Sequence, residues 1–151
     1  MKKQGFSDYG IAGIMGNLYA ESALQPDNLQ NSANTNLKMT DKQYTDVVDN
    51  GTYTNFFNDG AGYGIAQWTH PTLKEELYNI CKKNNTSISD INSQLECLIT
   101  QLTKQKLLDT LKNAKSVREA SDYFLTKFER PKDQSEAVKQ KRLNFSNLYL
   151  K

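Results

Sequence analysis

Apolar residues recur at three-to-four spacing along most of the chain, which is the period of amphipathic helices. The first such run follows Ser7, whose hydroxyl oxygen can cap a helix. Thr40 and Ser116 precede further runs, each with a Gln or Glu three residues later as in a capping box. The longest stripe lies between residues 88 and 102. The pattern predicts a mainly helical chain.

The region from residue 25 to residue 64 departs from this pattern, because it is rich in Asn, Asp, Thr and Gly and its helical periodicity is interrupted. Such a polar insert can form a short hairpin, a short helix or an irregular lobe, and we expect it to build one wall of a cleft. The 151 residues contain no internal repeat, which predicts one domain over residues 1–151. The helical pattern begins almost at Met1, which suggests a domain excised from a longer protein.

Three glycines, Gly10, Gly13 and Gly16, fall within the first predicted helix. Each disfavours a helix by about 0.8 to 1 kcal/mol relative to Ala. Their three-residue spacing places them near one side. We therefore expect another backbone to pack closely there, with a partly non-helical start as the alternative.

Bulk composition excludes several classes of function. The chain has 19 basic and 17 acidic residues, mixed along its length, and a net charge of only +2, which gives little support for nucleic acid as a partner. The sequence contains no run of about eighteen apolar residues, so no membrane span is predicted. One His and two distant cysteines do not supply a zinc site, and no cofactor is expected. Cys81 and Cys97 are expected to be buried free thiols, with a disulfide between adjacent helices as the alternative.

Glu21 ends the first helical run, after Leu18, Tyr19 and Ala20. Cleavage of a glycosidic bond needs a proton for the leaving oxygen, and burial raises the pKa of a carboxyl enough to supply it near neutral pH. The alternative at a helix end is a solvated surface acid.

A glycine-rich segment, Gly62-Tyr-Gly-Ile-Ala-Gln-Trp68, is a candidate sugar-binding segment and favours a catalytic interpretation of Glu21. Its glycines permit close approach of a ligand to the backbone, Tyr63 and Trp68 can stack on sugar rings, and Gln67 can bond an acetamido group. A dinucleotide-binding loop is excluded because the third glycine and the strand-turn-helix unit are missing. The single histidine, His70, precedes Pro71 and predicts a helix start rather than Ser-His catalysis.

Three ordered segments carry a family resemblance: residues 13–22, ending in Glu21-Ser22, residues 62–68, and Phe128-Glu-Arg-Pro131. Together they resemble the lysozyme domain of phage tail-tip proteins, and more distantly the goose-type lysozymes and soluble lytic transglycosylases. The resemblance implies a lysozyme-like fold acting on peptidoglycan, with Glu21 as general acid. It implies substrate contacts from Ser22, the Gln67 segment and Glu129. Capping or pairing at a helix end is the alternative for Glu129.

One departure from the family pattern is Ile65-Ala66, where related sequences have Leu-Met before Gln67. This pair is expected to preserve the fold and to alter the shape of the saccharide subsites. A second carboxylate is needed to hold the attacking water in an inverting hydrolase. Asp59 is the first choice because the resemblance places a water-positioning acid near it, followed by Asp49, with Asp46 in the same insert.

The sequence therefore predicts a peptidoglycan hydrolase, an N-acetylmuramidase with Glu21 as acid and Asp59 as base. A lytic transglycosylase and a non-catalytic wall-binding module are the alternatives. We expect a monomeric domain, tethered to a larger tail, secretion or conjugation protein and facing the cell wall outside the cell.

Overall fold

A computed structural model describes residues 1–150 and shows a mainly helical protein, with 61% of residues in helices. This confirms the predicted fold class. Within the described residues there is no strand, so the short hairpin considered for the polar insert does not form; two isolated bridges join Tyr63 to Leu29 and to Trp68. The α-helices are α1 (Asp8–Ser22), α2 (Asn31–Leu37), α3 (Asp41–Asp49), α4 (Pro71–Lys83), α5 (Ile91–Lys104), α6 (Leu108–Lys112), α7 (Val117–Phe124) and α8 (Glu136–Asn147).

The chain forms two compact units. The first contains residues 1–23 and the residues from 102 onward, and the second contains residues 24–101. The boundary after residue 101 falls inside α5. The polar insert belongs wholly to the second unit, where α2 and α3 occupy much of it.

Helix α1 is the centre of the first unit and packs against α6, α7 and α8. Its three glycines are the contact points. A Cβ added at Gly10 would collide with the carbonyl oxygen of Leu111 in α6, and one at Gly16 would collide with Ser146 in α8. At Gly13 it would lie 2.6 Å from the Cβ of Ala120 in α7. The close approach predicted from the glycine spacing is confirmed.

Capping side chains define where several helices begin. Ser7 Oγ accepts a hydrogen bond from the amide of Gly10 at 3.0 Å at the start of α1. Thr40 and Gln43 form the complete predicted capping box of α3. His70 Nδ1 accepts from the amide of Thr72 at 3.2 Å, so its predicted role at a helix start is confirmed. These contacts satisfy amides that would otherwise lack partners in the first helical turn.

The core of the second unit is aromatic. The ring of Tyr63 lies 5.5 Å from that of Tyr44 and 6.1 Å from that of Phe56, measured between centroids, and all three side chains are buried. Cys81 and Cys97 are buried thiols that form no disulfide, as the sequence predicts. Among the described residues, none of the helices is both long enough and apolar enough to cross a membrane.

Candidate active site

Glu21 lies in the last turn of α1, which ends because Ala23 adopts a left-handed conformation with φ 54°. The amide of Ala23 donates back to the carbonyl of Tyr19 at 2.8 Å, which closes the helix. The Glu21 side chain is 24% exposed, and its Oε1 accepts a hydrogen bond from Nη2 of Arg142 at 2.9 Å. Glu21 is therefore not the solvated surface acid of the alternative interpretation.

Arg142, on α8, is held by a second contact with α1. Its Nη1 donates to Oδ1 of Asn17 at 3.2 Å, and Asn17 Nδ2 donates to the carbonyls of Gly13 at 2.8 Å and Ser121 at 3.2 Å. Asn17 is fully buried and lies one turn before Glu21 on the same face of α1. A single network thus fixes the guanidinium, which in turn fixes the orientation of the Glu21 carboxylate.

Glu129 is the second carboxyl of this site. It ends a π-helical turn, Leu125–Glu129, and Arg130 follows in a left-handed conformation with φ 47°. As a residue Glu129 is half-buried, but its Oε1 atom is buried and has no hydrogen-bond partner. Burial, followed by the negative charge of Glu21 and hydrogen bonding with it, raises the pKa of Glu129 well above the ordinary value, against the opposing effect of Arg142. The structure therefore brings Glu21 and Glu129 together as a coupled pair.

Ser22 adjoins Glu21 but points into the protein. Its side chain is buried, and its Oγ donates to the carbonyl of Leu18 at 3.1 Å within α1. A substrate contact, as predicted from the sequence, does not fit a residue that is only 2% exposed.

In the second unit, Asp59 is buried in an ion pair with Lys74. Their side chains are 2% and 0% exposed, and Lys74 Nζ lies 2.7 Å from Oδ1 of Asp59. The same oxygen accepts from the amide of Ala61 at 2.9 Å, while Oδ2 accepts from the hydroxyls of Tyr44 at 2.6 Å and Tyr53 at 2.9 Å. Burial alone would raise the pKa of Asp59, but the bonds from Lys74, Tyr44 and Ala61 lower it.

These four donors decide what Asp59 can do. A carboxylate offers about four lone-pair positions, and all four are occupied by protein donors. No acceptor position remains for a catalytic water, so the geometry does not fit the predicted base and instead fixes the loop before Ala61. The other acids of the insert are also engaged: Asp49 accepts from Ser87 and Ile88, and Asp46 forms an exposed ion pair with Lys42.

The two aromatic residues predicted to stack on sugar rings are likewise buried inside the protein. Tyr63 is fully buried and its hydroxyl lies 2.5 Å from Thr45 Oγ1, while Trp68 is 2% exposed and donates from Nε1 to Oε1 of Gln101 at 2.7 Å. Neither ring has a free face for a sugar, which corrects the stacking prediction. Both side chains build the core because their polar atoms find partners inside the protein.

Gln67 is held by backbone groups of its own unit. Its Nε2 donates to the backbone carbonyls of Asn28 at 2.9 Å and Gly64 at 3.0 Å, and the residue is half-buried with φ 49°. Its Oε1 faces Gly62, where an added Cβ would lie 2.9 Å away. A side chain at Gly62 would therefore require the end of the Gln67 side chain to shift.

A family model described as phage tail lysozyme matches residues 1–150 of the chain. The chain belongs to this family. No curated protein and no solved structure matches it. The membership confirms the resemblance seen in the three sequence segments and supports a peptidoglycan-lytic function.

Two residues of this candidate site were not predicted from the sequence: Asn17 and Arg142. Asn17 carried a usable signal, since a polar side chain one turn before a candidate acid shares its helix face. Arg142 lies more than a hundred residues from Glu21 among other basic residues, and nothing in its local pattern marks it. Within residues 1–150, no group of three His, Cys, Asp or Glu side chains is arranged to hold a metal ion.

Proposed function

We propose that this member of the phage tail lysozyme family is an N-acetylmuramidase, which cleaves the β-1,4 bond between N-acetylmuramic acid and N-acetylglucosamine with Glu21 as general acid. The observation that carries the proposal is the position of Glu21 at the end of α1, oriented by Arg142 and coupled to the protonation-prone carboxyl of Glu129. General acid catalysis of this kind needs a carboxyl that is both positioned and supplied with a proton. Gln67 is the proposed contact for an acetamido group of the glycan.

A second candidate is lytic transglycosylation, in which a hydroxyl of the muramic acid attacks in place of water. The engagement of both Asp59 oxygens favours it, because hydrolysis with inversion needs a carboxylate free to hold water. Transglycosylation requires no such group. Both reactions use Glu21 in the same step, as proton donor to the leaving oxygen.

Mass spectrometry of the fragments released from purified peptidoglycan separates these reactions. A reducing muramic acid end supports the muramidase, and an anhydro end, lighter by one water, supports the transglycosylase. A reducing glucosamine end would show cleavage of the other glycosidic bond and would contradict both. Binding without release of fragments would instead indicate a wall-binding module.

The setting of the activity is also proposed. We expect a monomeric domain within a larger tail, secretion or conjugation protein, acting on the wall from outside the cell. Membership of a phage tail family supports the tail among these settings.

A further inference from the structure

Arg142 raises the question of how Glu21 obtains its proton. The guanidinium donates to Oε1 of Glu21 at 2.9 Å, and the two side chains are only 12% and 24% exposed. A guanidinium bonds most strongly to an ionised carboxylate. A general acid, however, must hold a proton when the glycosidic bond begins to break. The site therefore needs a proton source close to Glu21.

Glu129 is placed to be that source. Its carboxyl is within hydrogen-bonding reach of Glu21, and its Oε1 is buried without any partner. An ionised carboxylate with a buried and unpaired oxygen is costly, whereas the neutral acid tolerates the loss of one acceptor bond far better. The neutral acid also has a proton to donate to its neighbour. Two adjacent carboxyls that share one proton behave as a single titrating pair.

The backbone holds Glu129 in this position. The π-helical turn Leu125–Glu129 inserts an extra residue where α7 would otherwise continue, and the amide of Arg130 closes it by donating to the carbonyl of Leu125 at 2.8 Å. The Phe128 ring packs on Phe124, with centroids 5.0 Å apart. Turns of this kind are rare in proteins overall, and those that occur are often found at functional sites. Glu129 is therefore fixed beside Glu21 by the fold.

We infer that Glu129 is the proton store of Glu21, a positioning residue that acts through the general acid. The inference rests on the proposed function. The proton passes from Glu129 to Glu21 and then to the glycosidic oxygen, which keeps the electron pair of the broken bond. Both carboxylates are then ionised, and the pair regains one proton from the attacking water or hydroxyl. The charged groups that act on Glu129 are Glu21 from α1 and Arg142 from α8.

The first test is the pH dependence of kcat/KM for Glu129→Gln on soluble glycan fragments. The amide keeps the size of the side chain and can donate to Glu21, but it has no proton to release. We expect the alkaline limb to move at least about one pH unit lower, with about tenfold less activity on that limb. The exposed Glu75→Gln is the matched control and keeps the wild-type profile. A folded Glu129→Gln with the wild-type alkaline limb would show a purely structural role and overturn the inference.

The second test is independent of activity and does not need Glu129→Gln to fold. The carboxyl carbons of ¹³C-labelled glutamates are titrated by NMR in wild type and Glu21→Gln, and Glu129→Asp identifies the Glu129 signal by its loss. We expect the pKa of Glu129 to lie well above the ordinary value of a glutamate in wild type and to move lower in Glu21→Gln, because the neighbouring negative charge is removed. A Glu129 signal that titrates at the ordinary value of a glutamate would overturn the inference.

The two proposals fail in different ways. Full activity of Glu21→Gln would refute Glu21 as the acid, whatever Glu129 does. Loss of activity in Glu21→Gln together with an ordinary titration of Glu129 would refute the proton store alone.

Discussion

Removal of the Asp59 carboxylate is expected to lower the melting temperature of the protein without abolishing its catalytic activity. Asp59→Asn leaves the ammonium of Lys74 buried without a counter-charge, since both side chains are at most 2% exposed. Breaking one partner of a buried pair costs about 3 to 5 kcal/mol. For a chain of this length each kcal/mol lowers the melting temperature by about 2 to 4 °C, which gives a fall of roughly 6 to 20 °C.

A double-mutant cycle with Lys74→Met tests this mechanism by calorimetry. The second substitution removes the unpaired charge, so we expect the double variant to recover part of the loss, with a coupling of about 2 kcal/mol. The exposed pair Lys42 and Asp46 is the control, with side chains 81% and 56% exposed. Asp46→Asn is expected to change the free energy of unfolding by less than about 1 kcal/mol.

Activity of Asp59→Asn, measured well below its melting temperature, completes the test. We expect the folded fraction to keep glycan cleavage within a few-fold of wild type, because all four acceptor positions of Asp59 serve the protein. A stable Asp59→Asn that has lost activity by about a hundredfold or more would refute this reasoning and restore Asp59 as the base.

Three further variants test the first unit. Gly13→Ala forces a Cβ to within 2.6 Å of α7, so thermal unfolding should show a net loss of about 1 to 2 kcal/mol despite the gain in helix propensity; unchanged stability would contradict the close packing. Arg142→Lys replaces the planar fork that bonds Glu21 and Asn17 through two nitrogens with a single ammonium, so steady-state kinetics should show a lower kcat with KM little changed, and a wild-type kcat would contradict its orienting role. Glu129→Gln should be increasingly stabilised relative to wild type as pH rises above about 4.3, the unfolded value. Because the pKa of Glu129 is raised in the folded protein, its contribution to stability is complete below the unfolded value and is lost as pH rises from there through the folded value. Melting temperatures that differ by a constant amount from about pH 4 to pH 8 would contradict this.

Local signals in the sequence predicted several helix starts and the close packing at the α1 glycines. Features that depend on contacts between residues far apart in the sequence could not be predicted. Ser7 and Thr40 cap helices through atoms three residues away, so their roles can be read from the chain. The spacing of the α1 glycines predicted a close neighbour, although which helix packs at each glycine depends on distant residues.

The site was less predictable because burial decides its chemistry. Asp59 precedes a glycine-rich turn, as a water-binding acid would, but Lys74 on α4 enters the interior and pairs with it. Tyr63 and Trp68 have the composition of a sugar platform, and each uses its polar atom inside the core. The carboxyl pair of Glu21 and Glu129 depends on a π-helical turn, which helical periodicity does not reveal.

The central claim is that Glu21 donates the proton that breaks the glycan strand. Release of soluble fragments from purified peptidoglycan by wild type, Glu21→Gln and the exposed control Glu75→Gln tests it most directly, with thermal melts to show that each variant is folded. We expect Glu75→Gln to match wild type and Glu21→Gln to lose at least about a hundredfold in rate. Fragment release by folded Glu21→Gln within twofold of wild type would contradict the account.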